Sequence, residues 1–245
     1  MLLCVLVGCA QGTKENRQFG DYPDAGMDAA AGGDALPMPD AAASCVLARA
    51  VYLNFTGVTT LTQGASSDAT HDVAAWMNKA NGTAPIFRAG SGTRDADIAA
   101  ITAGIMNALS PFHVQVVTTR PAAGPYQEII FGGTPAQVGS NFSGAVQKLD
   151  CGNQVLNDVA WIGDSVTPNQ AVINFALGAV GFGVGLTATT TTTDCMCGWD
   201  NTCAPNFNQA CSFSASIARD GTANQTCAGV TDQNEPAALM NAFCQ

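Results

Sequence analysis

The chain has 245 residues, of which 47% are hydrophobic and 11% are charged, and its formal net charge is −10. No cluster of Lys or Arg occurs, which excludes nucleic acid as a partner and leaves no basic patch for an anionic membrane. Its two histidines, His71 and His113, exclude a three-histidine metal site.

The N-terminus predicts export and lipidation. Residues 1–8 form a short apolar run that is typical of a signal peptide and too short to span a membrane. The sequence Leu-Val-Gly before Cys9 resembles the lipobox of bacterial lipoproteins, in which the cysteine is lipidated and becomes the new N-terminus. The alternative is a buried N-terminal strand. We therefore expect a protein that is lipid-anchored in the bacterial cell envelope, at the outer membrane or cell surface, with the anchor as its only membrane contact.

A tether follows the lipidated cysteine and occupies the rest of residues 9–44. Asp, Ala, Gly and Pro make up seventeen of the twenty-one residues from Asp24 to Ser44. Such a segment has little to bury and cannot offset the entropy lost on ordering, so it predicts disorder. The folded domain is expected to span residues 45–245.

The cysteines of the expected domain predict disulfides. Once Cys4 and Cys9 are discounted, eight remain: Cys45, Cys151, Cys195, Cys197, Cys203, Cys211, Cys227 and Cys244. An even number in an exported chain indicates up to four disulfides, whose pairing the sequence leaves open. The alternative is a zinc knot formed by the four cysteines between residues 195 and 211. Its Cys-x-Cys opening differs from the common ligand spacing, and an oxidising compartment disfavours free thiolates.

Strand-like and helix-like segments alternate along the domain. In the clearest helix, Ile101, Ile105 and Leu109 share one face, and Pro111 follows its end. The predicted strands are Arg49–Phe55, His113–Thr119, Tyr126–Phe131 and Val159–Ile162, and the predicted helices are Thr93–Leu109, a second from Pro168 to about Gly181, and a short last one after Asn234. This order predicts an α/β (α+β) fold with a mixed sheet, two long helices and a disulfide-stapled, loop-rich C-terminal part.

The second helix lies in a run of residues without charge between Asp164 and Asp194. Its apolar stretch is shorter than the roughly twenty residues of a membrane span. Its glycines follow the helix and do not open one, which disfavours a dinucleotide-binding loop. The threonine-rich residues Thr187–Thr193 that come next are interpreted as an extended surface loop.

The same segment resembles the zinc helix of metzincin endopeptidases, whose template is His-Glu-x-Gly-His-x-x-Gly-Leu-x-His. Gly181, Gly185 and Leu186 match the glycines and the leucine of that template, and Met196 stands where matrixin-like members place the methionine of their Met-turn. The order of predicted elements is also similar, from Arg49 to the C-terminus. The resemblance implies a metzincin-like fold in a secreted bacterial lipoprotein.

The chain departs from the template at every position that carries its chemistry. The three histidine positions hold Gly178, Phe182 and Ala188, and the position of the catalytic glutamate holds Ala179. We call these four residues the template positions. Their side chains can neither bind zinc nor take a proton from a zinc-bound water. We therefore expect no metal, no cofactor and no catalytic residue, and interpret the domain as a pseudoenzyme.

The resemblance also implies a partner. Metzincins hold substrate as an extended strand along a sheet edge above the zinc helix, and such pairing needs no metal. We expect the domain to bind extended peptide or protein segments at an edge between His113 and Ile162, with Phe182 on the floor of the cleft. Two alternatives stay open: a hydrolase of this family with non-standard active residues, and a structural envelope protein without a ligand.

Overall fold

The computed structural model of the protein describes residues 49–200 and 203–243. The expected signal peptide, the tether, Cys9, Cys45 and Cys244 lie outside the described residues. The strands are β1 Ala50–Asn54, β2 Val58–Gln63, β3 Val73–Ala74, β4 Asn81–Ala84, β5 Gln115–Val117, β6 Tyr126–Phe131, β7 Ala145–Val146, β8 Val159–Ile162, β9 Ile217–Ala218 and β10 Asp232–Gln233. The helices are α1 Arg94–Leu109, α2 Pro135–Val138, α3 Asn169–Gly183 and α4 Glu235–Phe243.

A five-stranded sheet organises the domain, with strand order β5-β1-β6-β8-β7. The first four strands of this order are parallel, and β7 runs antiparallel to β8 at one edge. The inner strands β1, β6 and β8 are buried along their whole length, as apolar strands covered on both faces are. The sheet therefore ends on one side in the short strand β7.

Each face of this sheet carries its own hydrophobic cluster, because successive side chains of a strand point to opposite faces. In β6, Ile129 packs with helices α1, α3 and α4, whereas Ile130 packs on the opposite side. The opposite side is covered by the small sheet of β2, β3 and β4 and by Trp76, whose Nε1–H donates to the carbonyl of Val159 at 2.8 Å. Helix α3 is thus held on one face of the sheet, next to β8.

Three disulfides join cysteines in the C-terminal part of the described chain. They are Cys151–Cys227, Cys195–Cys211 and Cys197–Cys203. The last two use all four cysteines of the alternative zinc knot, so disulfides and not a knot occur there. The predicted mixed α/β fold with a disulfide-stapled C-terminal part is confirmed.

Most predicted elements lie at or near their expected positions, and one is much shorter. β6 and β8 have the predicted bounds, and α1 begins one residue later than expected. The strand expected at His113–Thr119 is reduced to β5, because His113 takes a left-handed conformation (φ 58°) after the 3-10 turn Ser110–Phe112. Within the described residues, no helix has both the length and the apolar character needed to cross a membrane.

Candidate functional site

A pocket of about 250 Å³ lies between the edge strand β7 and helix α3. Residues 142–147 form one wall, residues 198–200 with Gln225 form another, and Phe175 and Phe182 of α3 close the pocket from below. We call it the edge pocket. It combines an open strand edge with aromatic side chains, which is the arrangement that an extended peptide needs.

The backbone of β7 leaves hydrogen-bonding groups on its outer side. The N–H of Gly163 donates to the carbonyl of Gly144 at 2.8 Å, so the backbone of Gly144 faces β8. In an antiparallel pair, successive residues turn their backbone groups alternately toward and away from the partner. The N–H and carbonyl of Ala145 therefore face the open edge, where a further strand can pair with them.

Trp199 occupies the space beside the first template position. A Cβ atom built on Gly178 would lie 1.8 Å from Nε1 of Trp199 and 2.7 Å from the carbonyl oxygen of Cys195. Trp199 is itself buried, so it cannot move aside without leaving the core. A side chain of any size, including a histidine, is thus excluded from position 178 while Trp199 keeps its place.

Phe182, the second template position, is fully buried. Its ring centroid lies 5.1 Å from that of Trp199, and none of its surface reaches solvent. Phe182 thus lines the edge pocket as a buried side chain whose ring packs against Trp199. That it forms the floor of a peptide-binding cleft stays a prediction. The aromatic rings with more open surface are Phe142, which is 47% exposed, and the half-buried Phe175.

The residues at the other two template positions form hydrogen bonds only through their backbone groups. Ala179 is buried, and its carbonyl accepts a hydrogen bond from Nε2 of Gln127 at 2.9 Å. Ala188 is buried as well, and its carbonyl accepts from the N–H of Asp220 at 2.7 Å. Glycine, alanine and phenylalanine side chains carry no atom that ligates zinc, so the four template positions do not fit a zinc ion.

The remaining metal-ligating side chains of the described chain occur at most in pairs that could not by themselves hold a metal. In residues 49–200 and 203–243, no group of three or more His, Cys, Asp and Glu is arranged to hold a metal. His71 is exposed and pairs with Asp68 through Nδ1 at 2.6 Å, and His113 is exposed on the turn before β5. Neither histidine lines the edge pocket.

Met196 packs directly beneath α3, at one of the glycines that match the template. A Cβ on Gly181 would lie 2.4 Å from Sδ of Met196, so only glycine permits this contact. The other matching glycine, Gly185, has φ 89°, a left-handed conformation in which the chain leaves the helix. The backbone N–H of Met196 donates to Oδ1 of Asp194 at 2.9 Å, which fixes the turn before it.

Asp194 belongs to a buried acidic pair that the sequence analysis missed. The hydroxyl of Ser214 donates to Oδ2 of Asp194 at 2.7 Å, and the N–H of Ser214 donates to Oε2 of Glu235 at 2.8 Å. Nε2 of Gln233 donates to Oε1 of Glu235 at 2.7 Å. Burial, followed by repulsion from Asp194, raises the pKa of Glu235 to about 8. The pair links the segment around Met196 to the start of α4.

The pKa values of two more buried carboxyl groups are also raised. Burial raises the pKa of Glu128 to about 7, although Arg120 and Asn54 favour its charged form. Burial also raises the pKa of Asp158 to about 7, although its hydrogen bond from the N–H of Val159 opposes the shift. We refer to Glu128, Asp158 and Glu235 as the three buried carboxyls.

Comparison with known proteins adds no relative. A scan against protein-family models finds no match for this chain, and a search of curated proteins also finds none. The resemblance to metzincins therefore depends on the residues of this chain alone.

Proposed function

We propose that this chain is a non-catalytic, pseudo-metalloprotease-like domain of an envelope lipoprotein that binds extended peptide or protein segments. The observation that carries the proposal is the edge pocket, where the edge of β7 that pairs with no other described strand lies beside aromatic side chains. In the proposal, a bound segment pairs with β7 as an additional strand and places side chains in the pocket.

Strand addition is supported by the outward backbone groups of Ala145. A peptide that lies alongside β7 can accept a hydrogen bond from this N–H and donate one to this carbonyl. Each such bond contributes about 0.5–1.5 kcal/mol net, so side chains held in the pocket must supply the rest. We expect micromolar affinity, about −8 kcal/mol, because no metal or bidentate clamp anchors the ligand.

The non-catalytic character is supported by what fills the template positions. Trp199 takes the space beside Gly178, and Phe182 is buried under Trp199. The glycines that match the template support the proposed scaffold: Gly181 admits Met196, and Gly185 forms the turn after α3. With these contacts and without ligating side chains, we expect the domain to bind segments without hydrolysing them.

Envelope location is the part of the proposal that rests on sequence alone. In the proposal, lipidation of Cys9 anchors the chain, and residues 9–44 connect the anchor to the domain. Cys9→Ser is expected to abolish labelling by a palmitate analogue and to release the protein from the detergent phase. Equal partition of the wild type and Cys9→Ser would contradict the anchor.

The binding proposal is tested by removing one outward hydrogen-bond donor. Ala145→Pro deletes the N–H that faces the open edge and leaves the bonds of β7 to β8 in place, which is where edge strands tolerate proline. Ala145→Ser is the matched control, because it keeps the N–H at similar size. The probes are fluorescently labelled peptides from an array of extended sequences, measured by fluorescence anisotropy against the folded, oxidised protein.

We expect Ala145→Pro to weaken binding about fivefold or more, as loss of one hydrogen bond and the clash of the proline ring predict, and Ala145→Ser to bind like the wild type. Equal binding by all three proteins would exclude pairing with β7. If no peptide binds, the structural alternative is favoured. Mass spectrometry of the same mixtures detects cleaved peptides, which would favour the hydrolase alternative.

A further inference from the structure

The edge pocket carries one charge, and it is negative. Asp200 is the single ionisable residue among the described residues that line the pocket, and the remaining lining side chains are aromatic, small or amide-bearing. Phe142 and Phe175 present ring surface to it. A pocket that joins aromatic rings to a carboxylate has the chemistry that recognises an organic cation.

The carboxylate of Asp200 is oriented by backbone and amide donors. The N–H of Gln225 donates to Oδ2, and Nδ2 of Asn224 donates to Oδ1 at 3.2 Å. A carboxylate offers about four acceptor sites, so these two described donors by themselves do not saturate it. In residues 49–200 and 203–243, no Lys, Arg or His forms an ion pair with Asp200. The orientation of the group is thus fixed while its charge has no described counterion.

We propose that the edge pocket selects a lysine or arginine side chain of the bound segment. The proposal rests on the proposed function and specifies its ligand. The alkyl stem of the cationic side chain lies against Phe142 and Phe175, and its charged head meets the ring faces and the carboxylate of Asp200. The net charge of −10 also attracts basic segments to the protein, because opposite charges speed their approach.

The test uses a matched set of peptides, dye-Thr-Val-Thr-X-Thr-Val-Thr-amide, in which a fluorescent dye is attached to the N-terminal amine. X is lysine, arginine, norleucine or glutamate. Norleucine has nearly the length and apolar stem of lysine without its charge, so the lysine-to-norleucine ratio isolates the cation. Affinities are measured by fluorescence anisotropy at two salt concentrations with the oxidised full chain.

We expect the lysine and arginine peptides to bind about fivefold or more tightly than the norleucine peptide, and the glutamate peptide to bind most weakly. Added salt is expected to reduce the difference, because it screens charges at a partly open site. Asp200→Asn should remove most of the preference for lysine over norleucine. An unaltered circular dichroism spectrum and an unchanged unfolding midpoint show that the variant is folded.

A second variant tests the aromatic contribution separately. Phe142→Leu keeps apolar surface but removes the ring face, so it should weaken the lysine peptide more than the norleucine peptide. Equal affinity of wild type for all four peptides would overturn the cation preference and leave strand binding intact. A preference that persists undiminished in Asp200→Asn would overturn the role of this carboxylate. No binding by any of the four would overturn the preference and count against the proposed function itself.

Discussion

The substitution Gly178→Ala tests whether Trp199 fills the first template position. In the middle of a helix, replacing glycine with alanine ordinarily stabilises a protein by about 0.5–1 kcal/mol. At this site the new methyl group would lie 1.8 Å from Nε1 of Trp199 and 2.7 Å from the carbonyl oxygen of Cys195. Both distances are too short for contact, so the indole or the turn around Cys195 must move.

The expected cost follows from overpacking of a buried site. Forcing an extra carbon into a well-packed core costs about 1–3 kcal/mol, and the two neighbours here are a buried ring and backbone, which yield little. We therefore take the upper end of this range, and after the gain in helix propensity is subtracted, Gly178→Ala should lower the free energy of unfolding by about 2 kcal/mol. For a domain of this size, such a loss lowers the melting temperature by roughly 4–8 °C.

The matched control is Gly104→Ala in α1. A Cβ on Gly104 would meet only the side chain of Ile173, with Cδ1 at 2.5 Å, and that terminal methyl can rotate away. Its free energy of unfolding should change by less than about 1 kcal/mol. Both variants are compared by guanidinium unfolding, followed by circular dichroism, with the disulfides intact.

A double-mutant cycle then identifies the cause. In a Trp199→Ala background the indole is absent, so Gly178→Ala should cost at least about 1 kcal/mol less than it does in the wild type. The residual cost comes from the carbonyl of Cys195. The reasoning is refuted if Gly178→Ala is as stable as the wild type, or if its cost is the same in both backgrounds.

Two further predictions concern what stabilises the domain. Replacing both cysteines of Cys151–Cys227, which are 76 residues apart, should lower the free energy of unfolding by about 4 kcal/mol. Replacing both cysteines of Cys197–Cys203, which are 6 residues apart, should lower it by about 2 kcal/mol. The difference arises because a longer closed loop restricts the unfolded chain more. Denaturant titration of the paired serine variants checks this order, and a chelator should leave the wild-type midpoint unchanged. The second prediction concerns pH, because the pKa of each of the three buried carboxyls is raised. Between about pH 4 and pH 8 the native state therefore binds more protons than the unfolded chain. The free energy of unfolding should fall as the pH rises through that range. The melting temperature should therefore be higher at pH 5 than at pH 8.5, and Glu235→Gln should reduce this difference. A higher melting temperature at pH 8.5 would contradict the assigned burial of these groups.

The sequence predicts the inner strands of the central sheet well and the edge and outlying strands poorly. β8 is a short apolar run, and β6 ends in Ile-Ile-Phe before two glycines, which is a composition typical of strands buried on both faces. The small sheet was missed because β3 has two residues and β2 and β4 are largely polar. β7, the edge of the candidate site, also has only two residues, too few for a periodic pattern to appear.

The candidate site is less predictable than the fold because its contacts join distant parts of the chain. Thr187–Thr193 is expected to be a surface loop, yet Thr187 is buried and its N–H and hydroxyl both donate to Oε1 of Gln233, 46 residues away. That part of the expectation is wrong. The local sequence likewise gives no indication that Asp194 pairs with Glu235 or that Trp199 packs over α3. It shows that these residues are acidic or aromatic, but it does not show which residues they contact.

The position of Trp199 relates the residues at the template positions to the stability of the fold. A helix that carries glycine at position 178 and alanine at position 179 leaves unfilled volume where a template site holds histidine, glutamate and metal. Interiors are close-packed, and an unfilled space of this size would be costly. Trp199 fills it with an indole that packs against Phe182, while Cys195–Cys211 and Cys197–Cys203 staple the segment that carries the indole. The ligating histidines and Trp199 therefore require the same space. Gly178→His is therefore expected to fold only together with a smaller residue at position 199, and this single histidine would still not bind zinc, because Phe182 and Ala188 supply no ligand.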